Sequence, residues 1–550
     1  MAKHRAGDKR ILSISMPEKL AKRLDRHIGR GRENNRSATI SRLVELAALH
    51  RPPHLTALWP DVTRIRGYEV MARPGGALLM SVLGACILHA HDMPEIKDDT
   101  AAKKRIEHAA ENLRELIWLT PFKRGHTALS VTPTMEETFF NYYHRSTIDD
   151  WWRQENLTQS ICMERHSDIP VTITGGWFDS NVMDAVLQHS MLQEQSASKQ
   201  RIIIGPWNHY SMKGKGTTYL TDLDFGPSAH WGDLIYNQER LRWFDKWLKD
   251  LDTGVEKDPP VRIFVMGGGS GCKTKAGHLD HGGTWRNENE WPLTRAVQTI
   301  YRLGGNGELS TAPATDARSN QSHSVSWTHD PDHPVPTLGG AVTGFYEWVK
   351  LPEGLNKEYV TPRARMRQLM PAGPMHQREQ AGLVGCQSPY PLLAERADVM
   401  VFQTPQLETE IEVTGPIEVV LWVSSSAPDT DFTAKLVDVY PPNNDYPEGY
   451  HVGLTDSILR ARFRNGFDRE DLMDSGDIYE ITIKLPPTSN LFKAGNRIRL
   501  DIASSNFPRF EINPNTGEPL GRHTGSVKAL NTVYFDNSHP SQLILPVIPN

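Results

Sequence analysis

The chain has 550 residues and a formal net charge of −5, enough for about three or four domains at roughly 150 residues each and for a large buried core. Its four cysteines (Cys86, Cys162, Cys272 and Cys386) are too far apart for a disulfide framework and fit a reduced, cytoplasmic setting. The opening "MAKHRAGDKR" lacks the apolar core of a secretory signal, and with no run of about 18 apolar residues no membrane partner is expected.

The charge is uneven. Residues 1–50 hold 12 Lys and Arg against 5 Asp and Glu, and the remainder 49 against 61. A basic head on an acidic body points to a separate module with an anionic partner, or to a solvated tail.

Residues 10–16, "RILSISM", alternate in polarity and predict a short strand. Pro17 opens "PEKLAKRLDRHI", whose Leu20, Leu24 and Ile28 share one helical stripe. After "GRGRENN", Ser37 caps a second predicted helix with Ile40, Leu43, Val44 and Ala47 inward. "LTALW" at 55–59 reads as a short buried strand. Residues 74–165 read as mostly helical, with Asp99 or Thr100 capping a helix that buries Ile106, Ala110, Leu113 and Ile117. The aromatics Phe139, Tyr142, Trp151 and Trp152 are either core there or the lining of an acyl pocket.

Two apolar runs follow, "PVTITGG" before "WFD" and "RIIIGPW" before "NH", separated by about 25 largely helical residues. This is the pattern of a parallel βαβ unit. The helix "NQERLRWFDKWLKDL" is predicted to bury Leu241, Phe244 and Leu248. From about residue 260 the chain becomes strands separated by Gly, Pro and Asn turns, an all-β sandwich or jelly roll, with "EKDPPV" as the linker.

In open parallel sheets, chemistry gathers at the carboxyl edge of the strands. Asp179 and His209 each stand just past one of the two buried strands. An acid followed by a His is the second half of a Ser…Asp…His order, in which the acid orients the imidazole and the imidazole moves the proton. The competing reading makes Asp179 a turn residue and His209 a loop residue. Trp177, beside Asp179, reads equally as cleft or core. "HLDHGG" brings His278, Asp280 and His281 together, but without a fourth ligand at recognisable spacing it reads as a loop network, so no metal and no cofactor are expected.

The motifs "GGWFDSNVMDAVLQH", "IIIGPWNHYSM", "ERLRWFDKWLKDLDTGV", "PPVRIFVMGGG", "HGGTWRNENEWPL", "DTDFTAKLVDVYPP" and "IRLDIASSNFPRFEINPNTGEP" resemble the Xaa-Pro dipeptidyl-peptidase / cocaine esterase / NonD family of serine hydrolases from about Arg51 onward. The resemblance implies an α/β-hydrolase domain with an inserted helical cap and a C-terminal jelly roll. It also implies Asp179 as triad acid, His209 as base, and a small ester, amide or peptide as substrate. The family's nucleophile sits in a G-x-S-Y-x-G elbow a short helix before the segment matching "RPPHLTALWP". Here that place holds "GRENNRSATISRLVELAALH", where Ser37 and Ser41 lack the flanking glycines a strained elbow needs. The expectation is a partial hydrolase domain without the nucleophile-bearing strands, and impaired activity.

"KRILSISMPEKLAKRLDRHI" and "RSATISRLVELAA" resemble the ribbon-helix-helix fold of CopG-like repressors over residues 9–49. That resemblance implies a homodimer whose paired strands enter the major groove of DNA. Lys9, Ser13 and Ser15 would face bases with Arg10 beside them, and Arg36 and Ser37 would meet phosphate. Ile11 departs from the usual polar residue, and an amphipathic pair used only for dimerisation is the other reading. The expected division is 1–50, a basic ribbon-helix-helix-like segment; 51–255, a partial hydrolase domain with its cap at about 74–165; and 256–550, a jelly roll.

Overall fold

A computed structural model describes residues 45–209, 211, 216–312, 323–342, 345–352 and 365–549. Lys9, Arg10, Ser13, Ser15, Arg36, Ser37 and Ser41, with the ribbon-helix-helix expectation they carry, lie outside the described residues. Residues 45–48 are helical, and Ala48 and Leu49 are buried in one apolar cluster with Leu58, Ile173 and Ile202.

The cap is built from helices α1 (Ser81–Ala90), α2 (Thr100–Glu111) and α3 (Pro133–His144), joined by short helical turns. Asp99 caps α2, its Oδ1 accepting the Ala102 N–H at 2.9 Å and so satisfying one of the helix's unpaired donors. Ile106, Ala110, Leu113 and Ile117 are all buried as expected, but the helix breaks at Asn112 and resumes as a single turn at Leu113–Leu116. Phe139 and Trp152 are fully buried, packed with Phe140 and Tyr143, so these two are cap core. The same cluster takes in Phe345, Trp348, Met370, Phe507 and Phe510, seating the cap on the C-terminal part of the chain.

Strands β1 (Val171–Gly176) and β2 (Gln200–Gly205) pair in parallel from Val171↔Gln200 to Gly176↔Gly205, joined by helix α4 (Val182–Gln195). Every residue of both strands is buried. That is why they read as continuous apolar runs and not as alternation. The "LTALW" segment and the residues just after it meet β1 in parallel only as isolated bridges, Leu58↔Val171 and Asp61↔Thr174.

Helix α5 (Gly232–Lys249) corrects the sequence reading. It buries Tyr236 and Trp243, while Leu241 and Leu248 are 46% and 40% exposed and Phe244 is half-buried. Trp243 packs edge-on against Trp59 at 6.0 Å, and Tyr236 OH donates to Asp61. At 100° per residue, a Trp243 that faces in leaves Leu241 facing out. The indole removes more apolar surface from water than the leucine would.

Strand β3 (Val261–Gly267), the first of the β-rich part, also extends the parallel sheet as a neighbour of β2, from Ile202↔Val261 to Ile204↔Ile263. On its other edge it pairs antiparallel with β4 (Gly283–Glu288). The linker before it is anchored, with Asp258 in ion pairs to Arg201 at 3.0 Å and Arg242 at 2.6 Å.

The C-terminal β domain contains β5 (Ile411–Ser425), β6 (Asp431–Tyr440), β7 (Tyr450–Arg460), β8 (Tyr479–Phe492) and β9 (Arg497–Ala503). β5 pairs antiparallel with β8, and β6 lies antiparallel between β7 and β9. β8 also meets the end of β3, in parallel, at Asn490↔Met266 and Leu491↔Gly267. The two parts of the chain therefore share one continuous sheet. No helix among the described residues is long and apolar enough to cross a membrane.

Candidate active site

The site begins with two glycines. A side chain on Gly176, the last residue of β1, would have its Cβ 2.2 Å from the carbonyl oxygen of Trp207. One on Gly205, at the end of β2, would have it 2.4 Å from the Trp207 ring. Bare backbone at both strand ends lets the two following loops touch. Trp177 N–H then donates to Gly205 O at 3.0 Å and Phe178 N–H to Trp207 O at 2.9 Å. These bonds carry the parallel pairing past the strands and set the residue after Phe178 beside the residue after Asn208.

Those residues are Asp179 and His209. Asp179 Oδ2 lies 3.1 Å from His209 Nδ1. A carboxylate only accepts, so Nδ1 carries the proton and Nε2 is left as the basic nitrogen. The acid side chain is 1% exposed and the imidazole 22%. Asp179 Oδ1 accepts the Asn181 N–H at 3.0 Å. The acid also stands just before the first turn of α4, where the helix dipole favours negative charge. A buried acid behind a reachable imidazole can orient the ring and favour its protonated form, the geometry that proton transfer to or from a third group needs.

Three asparagine and aspartate positions that sequence reasoning passed over hold this arrangement. Asn181 Nδ2 donates to Val62 O at 2.9 Å, tying the acid's loop to the segment after Asp61. Val62 itself has φ +49°, a left-handed conformation that a β-branched residue rarely adopts. Asp184, fully buried on α4, accepts the N–H groups of Ile65 and Arg66 at 2.9 and 2.8 Å and pairs with Arg66 Nε at 2.6 Å. Asn208, beside the base, donates from Nδ2 to Ala372 O at 2.8 Å. An asparagine two residues past the acid of "WFD" was the signal available for Asn181, whereas nothing in the sequence set Asn208 apart.

Other singled-out residues lie apart from this pair. Trp177 is buried with its Nε1 donating to Phe264 O at 2.7 Å, which makes it core and not cleft. His278, Asp280 and His281 each turn to different partners. His278 stacks on Tyr219 at 4.2 Å, Asp280 accepts from Ser270 Oγ at 2.7 Å, and His281 bonds Asn490 and Tyr440, each at 2.8 Å. Among the described residues no group of three His, Cys, Asp or Glu is arranged to hold a metal ion.

A parallel sheet, a helical cap and a C-terminal β domain together give the chain a fold of the α/β-hydrolase class. Known proteins narrow it. Residues 42–211 match the X-Pro dipeptidyl-peptidase (S15 family) profile, and residues 253–544 match the X-Pro dipeptidyl-peptidase C-terminal non-catalytic domain. The chain belongs to this family. It is 31% identical over 433 residues to cocaine esterase of Rhodococcus sp. (strain MB1 Bresler), a match covering 76% of this chain and 65% of that protein. In fold it is similar to an α-amino acid ester hydrolase (TM-score 0.65, 20% identity, covering 92% of this chain and 75% of that one). It is also similar to an aminopeptidase from a marine sediment archaeon, Thaumarchaeota archaeon (TM-score 0.64, 21% identity, 92% and 74% covered). The hydrolase match starts at residue 42, so the buried turn at 45–48 falls inside it.

Proposed function

We propose that this chain takes part in acyl transfer on small ester, amide or Xaa-Pro peptide bonds. Asp179 holds the His209 tautomer and stabilises its imidazolium. His209 takes a proton from a serine hydroxyl through Nε2 and returns it to the leaving group. The observation that carries this reading is the 3.1 Å contact between a buried carboxylate and a reachable imidazole at adjacent strand ends. No cofactor enters the scheme.

The nucleophile is the open member. The sequence holds no G-x-S-x-G, and Ser37 and Ser41 lack flanking glycines. We therefore propose that the chain on its own turns over slowly, since a misplaced serine forfeits both the elbow and its oxyanion donors, worth about 3–4 kcal/mol each. The same reading divides the chain into a basic segment at 1–50, a partial hydrolase domain at 51–255 and a jelly roll from 256. The test is labelling by a fluorophosphonate, with the modified serine located by peptide mass spectrometry. Slow labelling at one serine, abolished by His209→Ala and by Asp179→Asn, is expected. Labelling that survives both substitutions would sink the acid–base assignment.

A second reading, DNA binding and dimerisation through residues 9–49, is supported by the basic excess of residues 1–50. Duplex binding by the full chain that weakens with salt, and weakens further on changing Lys9 and Arg10 to Ala, is its expected signature. Binding indifferent to both would remove it.

A further inference from the structure

We infer that Asn208 is the positioning residue that fixes His209 in hydrogen-bonding range of Asp179, by locking the histidine's loop to the C-terminal β domain. This rests on the reading of Asp179 and His209 as an acid–base pair.

The loop leaves β2 at Gly205 and carries His209 between two tethered neighbours. Asn208 is buried and uses its backbone N–H and both polar groups of its side chain. Its Nδ2 donates to Ala372 O at 2.8 Å, its backbone N–H donates to Ser211 Oγ at 3.0 Å, and its Oδ1 accepts the Ser211 N–H at 3.0 Å. The last two bonds close a ring across His209. The first ties that ring to a residue more than 160 positions away in sequence.

The anchor point is itself fixed. Ala372 is buried, and the strap that follows it is stitched to the hydrolase part at Thr221 and Asp222. Thr221 Oγ1 and the Asp222 N–H donate to Pro374 O, and the His376 N–H donates to Asp222 Oδ2 at 2.8 Å. Gly373 lies so close that a Cβ there would stand 2.8 Å from Leu220. The Ala372 carbonyl is thus a fixed anchor for the loop.

Magnitude decides why this matters. The Asp179–His209 contact of 3.1 Å is already at the long end of a good N–H···O bond. A loop shift of about 0.5 Å takes it to 3.6 Å, where the bond is lost. A neutral His without that partner is free to adopt the other tautomer, with Nε2 protonated and unable to accept. Asn208 thus acts on the base through position and never touches the reacting atoms.

The experiment uses the full chain and reads the pair directly, without requiring turnover. In cold buffer, the Nδ1 proton of a histidine bonded to a carboxylate gives a low-field proton resonance, assigned here by its disappearance in His209→Ala and Asp179→Asn. Asn208→Ala removes the tether and half of the ring. Asn208→Asp keeps the acceptor for Ser211 and replaces the donor to Ala372 with an oxygen that the carbonyl repels. The expected result is loss of the resonance in both Asn208 variants while far-ultraviolet circular dichroism stays that of the parent. A resonance retained in either variant overturns the proposal. So does loss of the folded signal in both, because Asn208 would then hold the fold and not the imidazole. If the parent chain lacks the resonance, or Asp179→Asn keeps it, the acid–base reading has failed and this inference falls with it, an outcome distinct from the previous two.

Discussion

Asp438 on β6 makes a quantitative test of the β domain. Its carboxylate is fully buried and accepts from Asn496 Nδ2 at 2.8 Å and Asn490 Nδ2 at 3.3 Å. Burial pushes its pKa from the ordinary 3.8 up to about 7, with the Asn496 and Asn490 amides pulling it part of the way back. His281 sits at the other end of the same network. Asn490 spends its amide on Asp438, so its oxygen accepts from His281 Nε2 at 2.8 Å and His281 Nδ1 accepts from Tyr440 OH at 2.8 Å. The imidazole is held neutral, its pKa lowered by burial to about 4.

The two groups act on stability with opposite sign. A raised carboxyl pKa means the folded state keeps its proton longer. The stability it contributes is complete below pH 3.8 and is lost as pH rises to about 7. At about 1.4 kcal/mol per unit over about three units, the loss comes to about 4 kcal/mol. His281 contributes stability that is present above pH 6.5 and lost as pH falls to about 4. In the parent chain the slopes largely cancel between pH 4 and 6.5. Asp438→Asn removes one and leaves the other. The expected stability difference, variant minus parent, therefore rises by about 4 kcal/mol from pH 4 to pH 8, superimposed on a pH-independent cost of about 1–2 kcal/mol for one weakened hydrogen bond. Urea unfolding followed by tryptophan fluorescence at half-unit pH steps measures it. A difference flat with pH would refute the argument, because Asp438 would then ionise alike in both states.

Two further substitutions test the site's scaffold and the helix that backs it. Gly176→Ala drives a methyl group into the Trp207 carbonyl, and should destabilise by at least about 1–3 kcal/mol and slow fluorophosphonate labelling together. A stable variant that labels at the parent rate would contradict the close approach of the two loops. On α5, Trp243→Ala should cost about 3–5 kcal/mol, whereas Leu241→Ser should stay within about 0.5 kcal/mol in a thermal melt. The reverse order would restore the leucine face as the buried one.

What could be read from sequence followed physical range. β1 and β2 were legible because strands covered on both faces must be apolar throughout, and Asp179 and His209 because they stand immediately past those strands. The cap residues Ile106, Ala110, Leu113 and Ile117 were legible from helical spacing alone, although the break at Asn112 was not. α5 misled because it carries two apolar stripes, and only tertiary contact with Trp59 decides that Tyr236 and Trp243 turn inward. Asn208 was invisible for a similar reason. Its partner is a backbone carbonyl at residue 372, and a carbonyl leaves no mark in the sequence.

The shared strand β3 also sets an order of events during synthesis. It can close a local hairpin with β4, whose residues follow it by about 20 positions, and join β2, which precedes it. Its contact with β8 must wait for Asn490, about 220 residues later. At 5–20 residues per second the ribosome needs roughly 10–45 s to deliver that partner. Through that interval Met266 and Gly267 stand at an unfinished edge, so the last stretch of translation seals the junction between the two parts of the molecule.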